Sequence, residues 1–298
     1  MNNTLITILG PTATGKTDFA IRLAQKINTE IISSDSRQMY REMKIGTATP
    51  GKIELNTVPH HFIGNLSIHD YYNASMFEEE VLSLLGEFFT KFSQVIMVGG
   101  SGMYIDAVCE GIDELPVVDP QIRMKLQEQY KKEGIESLRI QLKLLDPEYY
   151  KTVDLKNPNR ILKGLEISIM TGKPYSSFLT KKKKHREFRI LKIGLALPRE
   201  ILYQKIDRRV DLMVESGLIE EARKLYPLRS LNALNTVGYK ELFSYFDGDI
   251  NRAKAIELIK RNTRHFAKRQ ITWFKRDPKI NWIHPDEFEK AVKICQDS

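Results

Sequence analysis

The feature that most constrains this chain is an eight-residue segment, Gly10-Pro11-Thr12-Ala13-Thr14-Gly15-Lys16-Thr17, which fits G-x-x-x-x-G-K-[ST] at every defined position. It follows a short apolar, β-branched run, Leu5-Ile6-Thr7-Ile8-Leu9, of the kind that forms a buried parallel strand. Directly after it, Phe19, Ala20, Leu23, Ala24 and Ile27 recur at helical spacing. A glycine-bounded turn between a strand and a helix aims backbone N–H groups and a helix N-terminus at one point, where an anion is held. Lys16 adds a point charge for terminal phosphates, and the Thr17 hydroxyl is a candidate Mg²⁺ ligand.

The same alternation continues. Glu30-Ile31-Ile32-Ser33 reads as a second strand, and Val95-Ile96-Met97-Val98 as a third. Between them Phe77, Val81, Leu84, Leu85, Phe88 and Phe92 mark a long helix. Strands alternating with helices predict a parallel sheet covered on both faces. From about Asp113 the texture changes to Lys-, Gln- and Glu-rich helical stretches with joints at Pro116, Pro147, Pro158 and Pro174, closed by the run Lys181-Lys182-Lys183-Lys184. Strand character returns at Phe188 to Leu197. The predicted fold is therefore α/β, a P-loop NTPase-like parallel sheet core made of residues 1–112 and 186–298, with an all-helical insertion domain over 113–185.

Charge divides along the same line. Of 46 Lys/Arg and 38 Asp/Glu, residues 1–112 hold 8 and 12, a net of −4, which leaves 38 and 26, a net of +12, for the remainder. Residues 251–276 alone carry nine Lys/Arg against Glu257. There Lys260, Arg261, Arg264, Lys268, Lys275 and Arg276 fall near one helical side, and Ile256, Ile259 and Phe266 are available for a core. One-signed charge this dense repels itself unless a polyanion neutralises it, which points to a polyanionic partner; surplus lysines that only keep a protein soluble are the alternative. Two cysteines, Cys109 and Cys295, exclude a disulfide framework or a Cys-rich zinc site. No apolar run is long enough to span a bilayer and no basic region leads into an apolar signal core, so no membrane partner and a cytoplasmic protein are expected; no obligate protein partner is evident, and a monomer is expected.

Most NTPases with such a loop carry a metal-binding acid at the end of another strand, but the third strand here runs into Gly99-Gly100-Ser101-Gly102 without a carboxylate. Ordinary ATP hydrolysis is thereby disfavoured. An acid stands instead just beyond the second strand, in Ser33-Ser34-Asp35-Ser36-Arg37-Gln38, on the sheet edge where ligands of open α/β folds bind.

Taken together, several segments give a resemblance to the tRNA dimethylallyltransferase (IPP transferase) family that runs nearly end to end. They are the phosphate loop, Ser33-Ser34-Asp35-Ser36 with Gln38 and Tyr40, Gly46-Thr47-Ala48, Pro59-His60-His61, Val98-Gly99-Gly100-Ser101-Gly102, Pro198-Arg199, Val237-Gly238-Tyr239 and Ala267-Lys268-Arg269-Gln270-Ile271-Thr272-Trp273. Ser101 and Lys163 stand where the family has Thr and Arg; the first keeps a hydroxyl and the second loses a bidentate fork.

The resemblance implies transfer of a dimethylallyl group from dimethylallyl diphosphate to the exocyclic amino group of the adenine 3′ of the anticodon, with Mg²⁺ as cofactor. The substrates implied are that diphosphate and the anticodon stem-loop of tRNA. Asp35 would serve as base, Arg209 would steady the leaving diphosphate, and Ser101 would position the reacting groups. Contact with tRNA is implied for Asp35, Ser36, Arg37, Gln38, Ser101 and Arg123, for Asn159, Arg160, Ile161, Leu162 and Lys163, and for Lys268 and Arg269 in the basic stretch. His60 and His61 are expected to be a structural pair. The alternatives are an enzyme that prenylates free adenine nucleotides, a P-loop kinase acting on a small molecule and an RNA-binding ATPase.

Overall fold

The computed structural model describes residues 3–116, 119–180 and 183–297, and these fall into two compact units, Met1–Glu110 with His185–Ser298, and Gly111–Lys184. Of the lysine run, Lys181 and Lys182 lie outside the described residues. No described helix is long and apolar enough to cross a membrane.

In the larger unit, β1 (Thr4–Leu9) is buried along its whole length, as a strand covered on both faces must be. It feeds α1 (Lys16–Ile27), then β2 (Ile31–Ser33), α2 (Lys52–Thr57), β3 (His60–His61), α3 (Ala74–Phe88), β4 (Gln94–Gly99) and α4 (Gly102–Glu110). Asn73 caps α3 by accepting from the N–H groups of Ser75 and Met76. In the smaller unit, α5 (Pro120–Glu133), α6 (Ile135–Leu145), α7 (Pro147–Thr152) and α8 (Pro158–Thr171) enclose a core of Leu126, Leu138, Leu142, Ile161, Leu162 and Leu165. The buried Asp146 carboxylate caps α7 at Tyr149 N and accepts from the N–H and hydroxyl of Ser176, which fixes the turn that follows α8.

The larger unit resumes with β5 (Arg189–Leu195), two residues shorter at its C-terminal end than the sequence pattern indicates. Then come α9 (Arg199–Glu215), α10 (Leu218–Leu225), α11 (Tyr239–Phe246), α12 (Arg252–Phe274), β6 (Asn281–Ile283) and α13 (Phe288–Gln296). Six parallel strands lie in the order β3-β2-β4-β1-β5-β6. The edge strands β3 and β6 carry no long apolar run and are invisible to sequence pattern. One core cluster packs Ile6, Ile8, Ile96 and Ile193 of the sheet against Phe19 and Leu23 of α1 and Val292 of α13. A second gathers Met43, Val210, Leu218, Tyr239, Leu242 and Ile259 among the later helices.

Because β1 lies between β4 and β5, the chain leaves β1 toward one edge of the sheet and returns on its other side. The carboxyl ends of β1, β2 and β4 therefore open into one crevice, the position where open α/β sheets bind ligands.

Candidate active site

Gly10 opens the phosphate loop with φ of +143°, and a Cβ there would sit 2.6 Å from the Leu195 carbonyl oxygen, so no side chain fits where the loop crosses β5. Ala13 and Gly15 also take left-handed backbone conformations, which turn successive N–H groups inward. Inside the loop, the Thr14 hydroxyl and the Lys16 ammonium both donate to the Pro11 carbonyl, at 2.9 and 2.7 Å. Arg209 on α9 donates to the Thr12 hydroxyl at 2.9 Å. Lys16 is pushed down to about 7, chiefly by burial and further by Arg209, with Asp35 opposing. Burial lowers Arg209 as well, and Asp35 again opposes. Asp35 is thus the negative charge facing two crowded cations across the crevice.

Asp35 follows β2. Its Oδ1 accepts from Arg37 N at 2.9 Å and from Gln38 N at 3.4 Å. Ser101, at the end of β4, accepts from Ser36 N at 2.9 Å and donates to the Ser36 hydroxyl at 3.2 Å. Arg37 donates to the carbonyls of Asn232 and Ala233, and Gln38 to those of Thr47 and Ala48. Asp35, Ser36, Arg37, Gln38, Ser101, Arg209 and the loop residues Thr12, Ala13, Gly15, Lys16 and Thr17 all line one cleft of about 1030 Å³. Gly10, Pro11 and Thr14 shape that loop from behind, Pro11 and Thr14 being buried.

One group that sequence reasoning gave no role completes the site. Gln270 on α12 is buried; it accepts from Thr12 N and donates to the Gly100 carbonyl, both at 2.9 Å, tying the phosphate loop to the Gly100-Ser101 turn. Its place in the Lys-Arg-Gln run was the only signal. His60 donates through Nδ1 to the Val58 carbonyl at 2.7 Å, but its Nε2 is buried without a hydrogen-bond partner among the described residues, and His61 pairs with Glu30 at 2.6 Å, so only His61 is the satisfied structural residue expected.

The basic helix differs from its sequence pattern. Phe266 is 39% exposed on the cleft wall and does not join the core, because the faces of α12 that pack on α9 and α11 carry Ala267 and Ile259. Lys260 and Arg264 are paired with Asp211 and Asp207 of α9. Lys268 and Arg269 are exposed.

In the helical unit, Arg123 meets the buried Glu166 at 3.3 Å, and Lys163 is lowered by burial. Asn159 and Arg160 are exposed, whereas Ile161 and Leu162 are buried in the unit's core. RNA contact through the side chains of Ile161 and Leu162 is therefore corrected: the helical period turns them inward, and only Asn159, Arg160 and Lys163 of that segment reach the surface.

The Thr17 hydroxyl and the Asp18 and Asp35 carboxylates line the cleft, and among the described residues no three His, Cys, Asp or Glu gather as a metal cluster. Hard oxygens in this number suit Mg²⁺ that takes its remaining ligands from phosphate and water.

A family model described as IPP transferase matches residues 38–277. The tRNA dimethylallyltransferase of Christiangramia forsetii is 55% identical over 292 residues, covering 98% of this chain and 97% of its own. The crystal structure of the full-length tRNA isopentenylpyrophosphate transferase of Bacillus halodurans aligns with a TM-score of 0.72 at 34% identity, over 99% of this chain and 96% of that one. A eukaryotic dimethylallyltransferase acting on tRNA aligns with a TM-score of 0.76 at 27% identity, over 95% of this chain and 74% of that one. The cleft built from the phosphate loop, Asp35, Ser101 and Arg209 is thus carried by a chain that belongs to the IPP transferase family.

Proposed function

We propose that this protein transfers the dimethylallyl group of dimethylallyl diphosphate to the exocyclic amino group of the adenine 3′ of the anticodon in tRNA, releasing diphosphate. Support comes above all from the opposed walls of one cleft: Lys16 and Arg209 with the phosphate loop on one side, Asp35 on the other.

An adenine amino group is a weak nucleophile, and it attacks the allylic carbon as the C–O bond to the diphosphate breaks. A new C–N bond forms, the electron pair of the broken bond leaves with the diphosphate, and the proton of the amino group passes to the Asp35 carboxylate. Oδ1 of Asp35 is engaged by two backbone N–H groups, which orients Oδ2 for that proton. Charge developing on the leaving oxygens is met by Lys16, Arg209 and the loop N–H groups, fixed before the reaction begins. Mg²⁺, when bound with the diphosphate through the Thr17 hydroxyl, adds a hard cation to the same end. A base stacked in the anticodon loop must be extruded to reach Asp35. Ser36, Arg37, Gln38 and Ser101 are the groups beside it, and Arg123, Asn159, Arg160, Lys163, Lys268 and Arg269 are the proposed contacts to the rest of the RNA.

The test is incubation with Mg²⁺, dimethylallyl diphosphate and either unmodified tRNA or AMP, followed by mass analysis of the nucleosides. Prenylated adenosine from tRNA is the expected product; prenylation of AMP alone overturns the assignment of the acceptor.

A further inference from the structure

Two motifs of the chain, Gly46-Thr47-Ala48 and Val237-Gly238-Tyr239, have no part in the chemistry above, yet both border the cleft. They meet at one side chain, Glu221 on α10. Its Oε2 accepts from the backbone N–H groups of Lys44 and Ile45, at 3.0 and 2.8 Å. Its Oε1 accepts from Gly46 N at 2.9 Å and from the Tyr239 hydroxyl at 2.7 Å. Three successive N–H groups converging on a carboxylate form an anion nest whose occupant is supplied by the chain itself.

The geometry around the nest is tight. A Cβ on Gly46 would stand 2.6 Å from the ring of Tyr239, so only glycine lets the ring and the segment close on the carboxylate. Tyr239 is fully buried, and burial followed by the Glu221 charge holds its phenol well above the ordinary range, so it remains a donor. Immediately beyond the nest, the carbonyls of Thr47 and Ala48 accept from Gln38 Nε2 at 3.2 and 3.1 Å. Ala48 holds a left-handed φ of 49°, an unusual state for a side-chain-bearing residue that its neighbours must enforce. Gln38 N in turn rests on Asp35 Oδ1.

We propose that Glu221 is a positioning residue: it fixes residues 44–48, whose carbonyls fix Gln38, and through Gln38 the Asp35 wall of the cleft. It touches neither substrate. The assignment builds on the proposed transfer reaction, and it makes α10 a second support of the acceptor wall, independent of the phosphate loop.

The experiment compares the full-length protein with Glu221→Gln, Tyr239→Phe, Gln38→Ala and the Glu221→Gln/Gln38→Ala double variant. Glu221→Gln keeps the shape and loses part of the acceptor capacity. Its kcat should fall roughly tenfold, the scale of one hydrogen bond to a charged group, with KM for dimethylallyl diphosphate within twofold of the parent. Tyr239→Phe, which removes one of four donors, should show the same split with a smaller loss. In the Gln38→Ala background the Glu221 change should cost less than a further twofold, because both act through one contact. A full additional tenfold loss there, or a rise in KM for the diphosphate equal to the fall in kcat, overturns the proposal.

Amide hydrogen exchange supplies a readout that does not depend on which acceptor is used. Glu221→Gln should speed exchange at residues 44–46 and also at Arg37 and Gln38. Acceleration confined to residues 44–46 breaks the relay even if transfer to tRNA stands, and a parent inactive on tRNA removes the acceptor assignment while leaving this measurement decisive for Glu221.

Discussion

The two walls of the cleft are built on opposite plans. The phosphate wall is one contiguous octapeptide whose cationic group and backbone donors are set by local geometry, with Arg209 and Gln270 as outside braces. The acceptor wall is local only at Asp35-Ser36-Arg37-Gln38: Asp35 is held by the N–H groups of Arg37 and Gln38, while Ser36, Arg37 and Gln38 lean on residues outside the segment, Ser101, Asn232, Ala233, Thr47 and Ala48. Binding an anion demands convergent positive ends, which a turn supplies by itself. Aiming a base at an amino group demands a fixed direction in space, which a loop acquires only from neighbours.

The comparison is broken most directly at Asp35. Asp35→Asn keeps the backbone contacts but cannot take the proton, so kcat should fall by roughly 10²- to 10⁴-fold while tRNA affinity by filter binding stays near the parent value. Equal loss in affinity would move Asp35 to a binding role. On the opposite wall, Arg209→Lys keeps charge and loses the planar fork whose Nη1 donates to Thr12, and under the proposed role at the leaving diphosphate kcat/KM should drop by roughly 10²- to 10³-fold. A loss under threefold would make Arg209 a brace for the loop alone.

A smaller effect separates the walls by pH. Lys16 sits at about 7 in the unliganded protein, so above that value it is mostly neutral, whereas a bound diphosphate requires the ammonium. Binding then takes up a proton, and affinity for inorganic diphosphate should fall by up to tenfold per pH unit as pH rises above 7, beyond the slope of a Lys16→Met control. Calorimetry in buffers of different ionisation enthalpy reads the uptake; a parent slope identical to the control removes Lys16 as its source. The smallest effect is at the rim, where replacing Lys268 and Arg269 by alanine should flatten the salt dependence of tRNA binding by about 0.7 to 0.9 per lost phosphate contact.

How much of this was legible follows from the same contrast. The phosphate loop and the strands around it are written in adjacent residues, so both could be read from pattern. Asp35 was visible as an acid at a strand end and Ser101 through the family resemblance, but the carbonyls of Asn232, Ala233, Thr47 and Ala48 that hold Arg37 and Gln38 were not, because a backbone acceptor leaves no mark in residue identity. Glu221 stands in an ordinary amphipathic helix, and nothing in its sequence context marks the nest it fills. Charge density in α12 was real, yet the aspartates of α9 that claim Lys260 and Arg264 lie some fifty residues upstream. Helical periodicity likewise placed Ile161 and Leu162 inside once the helix was known, whereas the family likeness treated the segment as a single contact.

The position of β1 between β4 and β5 also has a bearing on synthesis. Thr4 pairs with Gln94 on one side and with Arg189 on the other. A ribosome adding about 5 to 20 residues per second reaches the second partner roughly 10 to 40 s after the first strand emerges. Through the first half of that interval both hydrogen-bonding edges of the central strand, with the phosphate loop at its end, are naked, and through the second half the β5-facing edge still is. Pairing across such a separation is slow and exposes apolar surface meanwhile. The β5-facing edge of β1 is therefore the sheet edge that waits longest for its partner.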